Sequence, residues 1–170
     1  MKENSTYAGM SFEDVTKEFS DNVTRICISA TGNYEDAKDC FQNTFLKLYT
    51  SKKSFNNKEH LKAWLLRVAI NECKDYHRSF WKRNVDFDYD YDKFFATQNT
   101  MKWGDTDEME TLLTALRSLP YKYYQIIYLY YIEGYNTSEI SELLHMSCNT
   151  VKSRLNRGRK ILKERWNIYE

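Results

Sequence analysis

The sequence contains few of the residues that interrupt helices, with one proline and five glycines among 170 residues. Proteins built from short strands and tight turns need more of both, because proline and glycine supply the backbone angles of the turns. Charged residues make up 29% of the chain, which is more typical of helices with solvated faces than of turn-rich sheets. The composition therefore predicts an all-α fold.

The cysteines lack the spacing that a zinc site or a disulfide framework needs. Cys27, Cys40, Cys73 and Cys148 lie far apart in the chain, and no Cys-x-x-Cys pair occurs. We interpret them as buried free thiols in a reducing cytoplasm, with Cys148 as the exception that lies nearer the surface.

The sequence also lacks a catalytic set and a membrane segment. His60, His77 and His145 are scattered, and no glycine-rich loop that could cradle a phosphate is present. No apolar stretch approaches the roughly 18 residues that a membrane-spanning helix needs, and no signal-peptide pattern precedes the first helix. We therefore expect a cytoplasmic protein with no membrane insertion of its own, no metal, no cofactor and no enzymatic activity.

Charge is unevenly distributed, although the net charge is only +1. Residues 152–165 carry seven Lys or Arg and one acid, whereas residues 84–108 carry seven acids and two lysines. Because the molecule as a whole is not a polycation, a nucleic-acid interface would have to depend on the local basic segment.

Apolar residues at helical spacing predict three helices in the first half of the chain. The first begins at Ser11 and ends at Gly32, because glycine readily adopts the left-handed conformation that ends helices. Asn33 is placed to cap the second helix, and Asn56 to cap the third. Three such helices can bury a common core, which predicts an N-terminal domain over residues 1–83.

An acidic segment, residues 84–107, separates this domain from the rest of the chain. Its Asp residues alternate with aromatic residues, as in a strand, but Asp is a poor strand former and no partner strand is recognisable. We interpret the segment as an acidic, flexible linker. Residues 108–170 then form a second small helical domain, in which Pro120 occupies the first turn of a helix.

Residues 136–166 have the layout of a helix-turn-helix. A short helix opens at Asn136, a break follows at residues 145–148, and a second helix carries apolar residues at spacings of four, three and four, namely Val151, Leu155, Gly158 and Leu162. Polar and basic residues without any acid occupy the opposite side.

The second helix of such a motif lies in the major groove, and its N-terminal half faces the base edges. This geometry nominates Asn149, Lys152, Ser153, Asn156 and Arg157 for base recognition. Arg154, Arg159 and Lys160 are the candidates for phosphate contacts, with plain solvated surface as the alternative for the last two.

Three segments resemble bacterial sigma factors of the extracytoplasmic-function group. Residues 36–49 resemble the segment that grips core RNA polymerase, and residues 63–78 the helix that opens and reads the −10 promoter element. Leu119-Pro120 and residues 150–155 resemble the domain that reads the −35 element. The resemblance implies a protein that binds core RNA polymerase and promoter DNA and directs transcription initiation. It also implies an anti-sigma factor as a partner.

The resemblance places two further interfaces in the N-terminal domain. Sigma factors of this group capture an unpaired base, which requires a pocket with polar edges and an apolar or aromatic lid. The residues that offer these groups are Phe55, Asn56, Asn57, Lys58, Asn71, Lys74 and Arg78. The residues expected to face core polymerase, or else to form an ordinary solvated helix face, are Asp39, Gln42, Asn43, Lys47 and Tyr49.

Three positions depart from the family's usual pattern. Asn43 replaces a residue that is usually acidic, and Tyr124 replaces a common Arg. His145 stands in the turn where the family often has Gly, so a residue with a Cβ has to accept a positive φ there. The alternative hypotheses are a stand-alone helix-turn-helix regulator that binds duplex DNA without polymerase, and an interaction module that does not read DNA.

Overall fold

The computed structural model describes residues 7–84 and 107–166, and within them it is helical apart from one isolated bridge between Tyr7 and Met10. This confirms the all-α prediction. The linker predicted at residues 84–107 falls almost entirely outside the described residues, so its bounds and flexibility stay a prediction. The chain divides into two compact units, residues 1–80 and 81–170. The described helices are α1 (Phe12–Thr31), α2 (Tyr34–Thr50), α3 (Lys58–Asn84), α4 (Asp107–Arg117), α5 (Tyr121–Tyr131), α6 (Thr137–Leu144) and α7 (Cys148–Trp166).

The first helix begins and ends, and the second helix begins, at the residues that the sequence indicated. The Ser11 hydroxyl accepts a hydrogen bond from the Asp14 backbone N–H at 3.1 Å. The Ser11 hydroxyl and N–H also donate to the Asp14 carboxylate, and these bonds lower the pKa of that carboxyl. Gly32 ends α1 with a φ of 76° in the left-handed region. The Asn33 side chain accepts from the Asp36 N–H at 2.9 Å and caps α2.

The third helix begins one residue later than predicted. Asn57, not Asn56, caps α3, because its side-chain oxygen accepts a hydrogen bond from the His60 N–H at 2.8 Å. The Asn57 carbonyl also accepts from Leu61 at 3.2 Å. Asn56 instead donates its own N–H toward Nδ1 of His60 at 3.4 Å. The sequence carries two adjacent asparagines, and either one has the chemistry of a cap.

The core of the N-terminal unit joins one face of each of its three helices. Cys27 of α1, Cys40 of α2 and Cys73 of α3 are all buried, as predicted for free thiols. Hydrogen bonds with Cys27 and Cys40 that favour the neutral S–H form, together with burial, raise the pKa of the Cys73 thiol well above its ordinary value. Thiols in such an apolar environment stay protonated at neutral pH and serve as packing groups.

A polar network fastens α3 to the start of α2 and the end of α1. The Tyr76 hydroxyl donates to the Asp36 carboxylate at 2.6 Å, and Asn33 also bonds to that carboxylate. Nε2 of the buried His77 lies 2.8 Å from the Ala30 carbonyl. A carbonyl can only accept, so Nε2 carries the proton in this contact. These bonds satisfy polar groups that burial would otherwise leave without water.

In the C-terminal unit, α5 forms the centre on which α7 packs. Six successive α5 residues, Tyr124 to Leu129, are buried, and all of them except Gln125 have apolar or aromatic side chains. Helices α5 and α7 can approach each other closely because Gly158 of α7 has no side chain. A Cβ built there would lie 2.8 Å from Cγ1 of Ile127. Near the C-terminal end of α7, Arg165 donates a hydrogen bond to the carbonyl of Ser118, the residue that follows α4, at 2.7 Å.

We predict that Gly158→Ala destabilises the C-terminal unit. The added methyl group would overpack the contact with Ile127, which costs about 1–3 kcal/mol, while the better helix propensity of alanine offsets at most about 1 kcal/mol. Hydrogen exchange of the α5 and α7 amides in the full chain should show reduced protection. The same substitution should cost less in an Ile127→Ala background, and equal costs in both backgrounds would contradict the steric explanation.

We also predict that acidification destabilises the N-terminal unit through His77. Burial holds the pKa of His77 below its ordinary value of 6.5, although Ala30 and Asp36 act in the opposite direction. The unfolded chain therefore binds this proton at a higher pH than the folded chain, and the free energy of unfolding falls as the pH drops below about 6.5. Urea denaturation at a series of pH values should show this loss. His77→Gln should flatten the dependence, and an unchanged slope would contradict the assignment.

Candidate nucleic-acid interface

The first helix of the predicted helix-turn-helix is fixed by a reciprocal cap. The Asn136 side chain accepts hydrogen bonds from the Ser138 and Glu139 N–H groups at 2.9 and 3.0 Å. The Glu139 carboxylate in turn accepts from the Asn136 N–H at 2.8 Å. Such a pair satisfies N–H groups that the first turn of a helix leaves without partners. Helix α6 therefore begins where the sequence predicted.

The turn between α6 and α7 depends on His145, which has φ 52° and ψ 48°. The expectation that this residue would accept a positive φ is therefore confirmed. The turn is closed by the Met146 N–H, which donates to the Ser141 carbonyl at 3.1 Å, and by the Ser141 hydroxyl, which donates to the Met146 carbonyl at 2.6 Å. Ser147 then caps α7 by accepting from the Thr150 N–H at 3.1 Å.

Helix α7 has a buried apolar back and an exposed polar front. Val151, Leu155 and Gly158 are buried against the rest of the unit. The five residues nominated for base recognition are all exposed, namely Asn149, Lys152, Ser153, Asn156 and Arg157. In the part of the chain that the structure describes, no ion pair engages Lys152 or Arg157. The structure therefore leaves this front, which carries no acid, open to solvent.

The three residues nominated for phosphate contacts differ from one another. Arg154 is partly buried, and its Nη1 lies 4.0 Å from the Met146 sulfur, beside the turn. Arg159 donates from Nε to the Tyr131 hydroxyl at 2.7 Å, and its guanidinium lies 5.2 and 5.5 Å from the ring centroids of Tyr130 and Tyr131. These contacts hold Arg159 against the end of α5. Lys160 is exposed.

In the N-terminal unit, the predicted base-capture residues separate into two environments. Phe55 is only 7% exposed and belongs to the core, so its ring is not displayed on the surface of the loop. Asn56, Asn57 and Lys58 are exposed, and Lys58 lies 3.4 Å from Glu18 of α1. On α3 the exposed residues are Asn71, Lys74 and Arg78, whose spacing of three and four places them on one side of the helix.

The predicted polymerase-facing residues lie on the exposed side of α2. Asp39, Gln42, Asn43 and Tyr49 are exposed, whereas Lys47, although mostly exposed, forms an ion pair with Glu72 of α3.

The sequence reasoning missed two apolar side chains of the same helix, Leu46 and Tyr34, which are 59% and 53% exposed. Their position off the buried stripe of α2 was the available signal. Tyr34 also lines a cavity of about 290 Å³ together with Ile28, Phe41 and Gln42.

Neither described part of the chain contains a group of His, Cys, Asp or Glu residues arranged to hold a metal ion. None of the helices within residues 7–84 and 107–166 combines the length and hydrophobicity that crossing a lipid bilayer requires.

Comparison with known proteins identifies the family. Residues 15–83 match Sigma-70 region 2, and residues 109–162 match Sigma-70, region 4. The chain is 32% identical over 139 residues to the RNA polymerase sigma factor SigV of Bacillus subtilis, covering 82% of this chain and 81% of SigV. It is 27% identical over 167 residues to the ECF RNA polymerase sigma factor SigW of the same species, covering 90% and 87%. This chain belongs to the sigma-70 family, in its extracytoplasmic-function group.

Solved structures show the same fold. The sigma factor RpoE from Bartonella quintana, solved in complex with the anti-sigma factor NepR, has a TM-score of 0.70 at 22% identity, covering 93% of this chain and 99% of RpoE. CnrH, solved in complex with the cytosolic domain of CnrY, has a TM-score of 0.67 at 19% identity, covering 94% and 89%.

The family assignment settles the broad function. This sigma factor directs promoter-specific transcription initiation by RNA polymerase, and the alternative of a stand-alone regulator is set aside.

Two of the residues that depart from the family pattern lie in different environments. Tyr124 is buried beside Tyr121 and Tyr128, with ring centroids 5.5 and 5.8 Å away. Its ring fills the core of the C-terminal unit, whereas Asn43 is exposed.

Proposed function

We propose that this sigma factor reads the −35 element with the front of α7 and the unpaired −10 strand with the loop before α3 and the exposed side of α3. We propose further that α2 binds core RNA polymerase. The observation that carries the proposal is the two-sided character of α7. Val151 and Leu155 fix its back in the core, so the polar front is presented without freedom to rotate.

For the −35 element, side-chain chemistry separates the roles of the front residues. Arg and Lys can bridge the N7 and O6 acceptors of guanine, which nominates Arg157 and Lys152. Asn156 suits the N6 and N7 groups of adenine, or bridging water. Arg154 lies beside the turn, where a sideways approach to phosphate is geometrically natural. Arg159 contacts Tyr130 and Tyr131, so we propose that its main role is to join α7 to α5 and that phosphate binding is secondary.

For the −10 element, the loop and α3 offer complementary groups. Asn56 and Asn57 are exposed beside the start of α3 and carry amide groups that can bond the edge of an extruded base. Lys74 and Arg78, on the same side of α3 as Asn71, can follow single-stranded phosphates. Phe55 is buried in the core, so we propose that it supports the loop by packing and does not contact the base itself.

For core polymerase, the exposed side of α2 combines polar and apolar groups. Asp39, Gln42, Asn43 and Tyr49 surround Leu46, whose exposed side chain gives this face an apolar centre. An apolar centre within a polar rim is the usual anatomy of a protein interface. Lys47 is paired with Glu72, so polymerase binding through Lys47 would have to compete with that ion pair.

The remaining partners follow from the family. RpoE was solved in complex with the anti-sigma factor NepR, and CnrH in complex with the cytosolic domain of CnrY. We propose that this chain also has an anti-sigma factor as a partner. Because bacterial RNA polymerase transcribes in the cytoplasm, we propose that this protein acts there. The catalytic centre belongs to polymerase, and we propose that this chain contributes no catalytic residue of its own.

We predict that Arg157→Ala lowers promoter affinity by about 1–3 kcal/mol and relaxes preference at one −35 position, because a bidentate contact with guanine would be lost. Competition binding of holoenzyme to a set of promoters with single −35 substitutions measures both effects. Lys160→Ala is the matched control, since an exposed lysine farther along α7 should change all sequences equally. If Arg157→Ala also weakens every sequence equally, Arg157 is a phosphate contact.

We predict that Asn71→Ala slows promoter melting and leaves −35 binding unchanged, because Asn71 is exposed on the α3 side assigned to the unpaired strand. Permanganate reactivity of thymines in the −10 region measures melting, and footprinting of the −35 region measures duplex binding. Normal permanganate reactivity would remove Asn71 from the −10 interface.

A further inference from the structure

A short N-terminal turn precedes α1 and folds back on itself. The Tyr7 N–H donates to the Met10 carbonyl at 2.8 Å, and the Met10 N–H donates to the Tyr7 carbonyl at 3.0 Å. The two central residues, Ala8 and Gly9, have φ values of 52° and 81°. Positive φ at both central residues is the pattern of a type I′ turn, and it is strained for alanine. A strained residue persists only where its surroundings fix it.

The Tyr7 side chain is the group that fixes this turn. Its ring is 3% exposed, and its centroid lies 6.2 Å from that of Phe12 and 6.5 Å from that of Phe55. Burial of a tyrosine ring stabilises a segment enough to offset the strain of one residue. The turn therefore delivers Tyr7 into the interior, directly beside the loop that leads to α3.

Phe55 transmits this contact to the loop. Its ring lies edge-on to Trp64 and to His60, each with centroids 5.5 Å apart. Phe55 thus contacts Tyr7 as well as two residues of α3. With Phe55 pointing inward, the next residues, Asn56 and Asn57, are turned outward and exposed.

We propose that Tyr7 is a positioning residue for the loop that captures the unpaired −10 strand. It acts through Phe55, which sets where Asn56 and Asn57 present their amide groups. Tyr7 lies outside the segment that matches Sigma-70 region 2, which begins at residue 15. The inference rests on the proposed role of the loop in −10 recognition. It adds that a residue before α1 controls the geometry of that loop.

Three variants distinguish the contribution of the Tyr7 ring from that of the turn conformation at Ala8 and Gly9. Tyr7→Ala removes the ring, whereas Tyr7→Phe keeps it. Gly9→Val keeps the ring but opposes the positive φ, and its Cβ would meet no atom within 4 Å, so the variant strains the backbone without a clash at Cβ. Because Gly9 is exposed, this variant also covers the case in which Tyr7→Ala fails to fold.

The test measures holoenzyme on a promoter that the wild-type chain melts, with the closed-complex affinity and the rate of melting determined separately. We expect Tyr7→Ala and Gly9→Val to slow melting by roughly tenfold or more, since small misplacements of binding groups have effects of this size or larger. Affinity for core polymerase and for the closed −35 complex should stay within about twofold of wild type. Tyr7→Phe should melt the promoter at the wild-type rate.

Val23→Ala is the matched control for a general loss of stability. Val23 is fully buried in the same unit, on the part of α1 remote in sequence from the turn. If Val23→Ala slows melting as much as Tyr7→Ala does, the role of Tyr7 is merely structural and the inference is overturned.

A variant of the loop distinguishes failure of the proposed Tyr7 role from failure of the proposed −10 role of the loop. If Asn56→Ala slows melting but Tyr7→Ala and Gly9→Val do not, the loop assignment stands and the positioning role of Tyr7 is overturned. If Asn56→Ala also melts the promoter normally, the −10 role of the loop is overturned together with the inference. Asn57→Ala is left out of this comparison because it would also remove the cap of α3.

Discussion

The close packing of α7 on α5 is the constraint on which the DNA-reading surface depends. Gly158 lets the two helices approach until a single added carbon would lie 2.8 Å from Ile127. Val151 and Leu155 are buried on the same stripe. With its back held in this way, α7 cannot rotate about its axis, and the residues opposite the stripe remain in solvent. Base recognition requires donors at defined positions, so rigidity of the back is what makes the front specific.

The same physical principle operates in the N-terminal unit with different chemistry. There the exposed groups lie on a loop, whose backbone has fewer internal hydrogen bonds than a helix and therefore needs other support. Side-chain packing of Phe55 from below and the Asn57 cap at the start of α3 supply it. The ion pair between Lys47 and Glu72 also joins α2 to α3, next to Asn71.

Much of the fold could be predicted from the sequence because local chemistry decides it. Ser11, Gly32 and Asn136 begin or end helices through bonds within four residues of themselves. The left-handed turn at His145 was expected from the resemblance, because the family often has glycine at that position. The one-residue error at the start of α3 also comes from local chemistry. Two adjacent asparagines were equally suitable, and only the position of His60 in space decides between them.

The site was less predictable because it depends on contacts between distant parts of the chain. The sequence showed that Phe55 and Arg159 were aromatic and basic, but not that one would be buried and the other held by Tyr130 and Tyr131. Helical spacing placed Leu46 off the buried stripe of α2, but spacing alone did not show that no other helix covers its side chain. Exposure of a side chain is a tertiary property, and the sequence pattern records it only on average.

The central claim is that the exposed front of α7 determines which promoters this sigma factor selects. The most direct measurement is run-off transcription with core RNA polymerase, using a chain in which the front residues have been exchanged for those of a related sigma factor with a different −35 preference. The exchanged residues are Asn149, Lys152, Ser153, Asn156 and Arg157. The account predicts that promoter choice at the −35 element follows these five residues, while core binding and melting stay unchanged. Promoter choice that stays with the rest of the chain would contradict it.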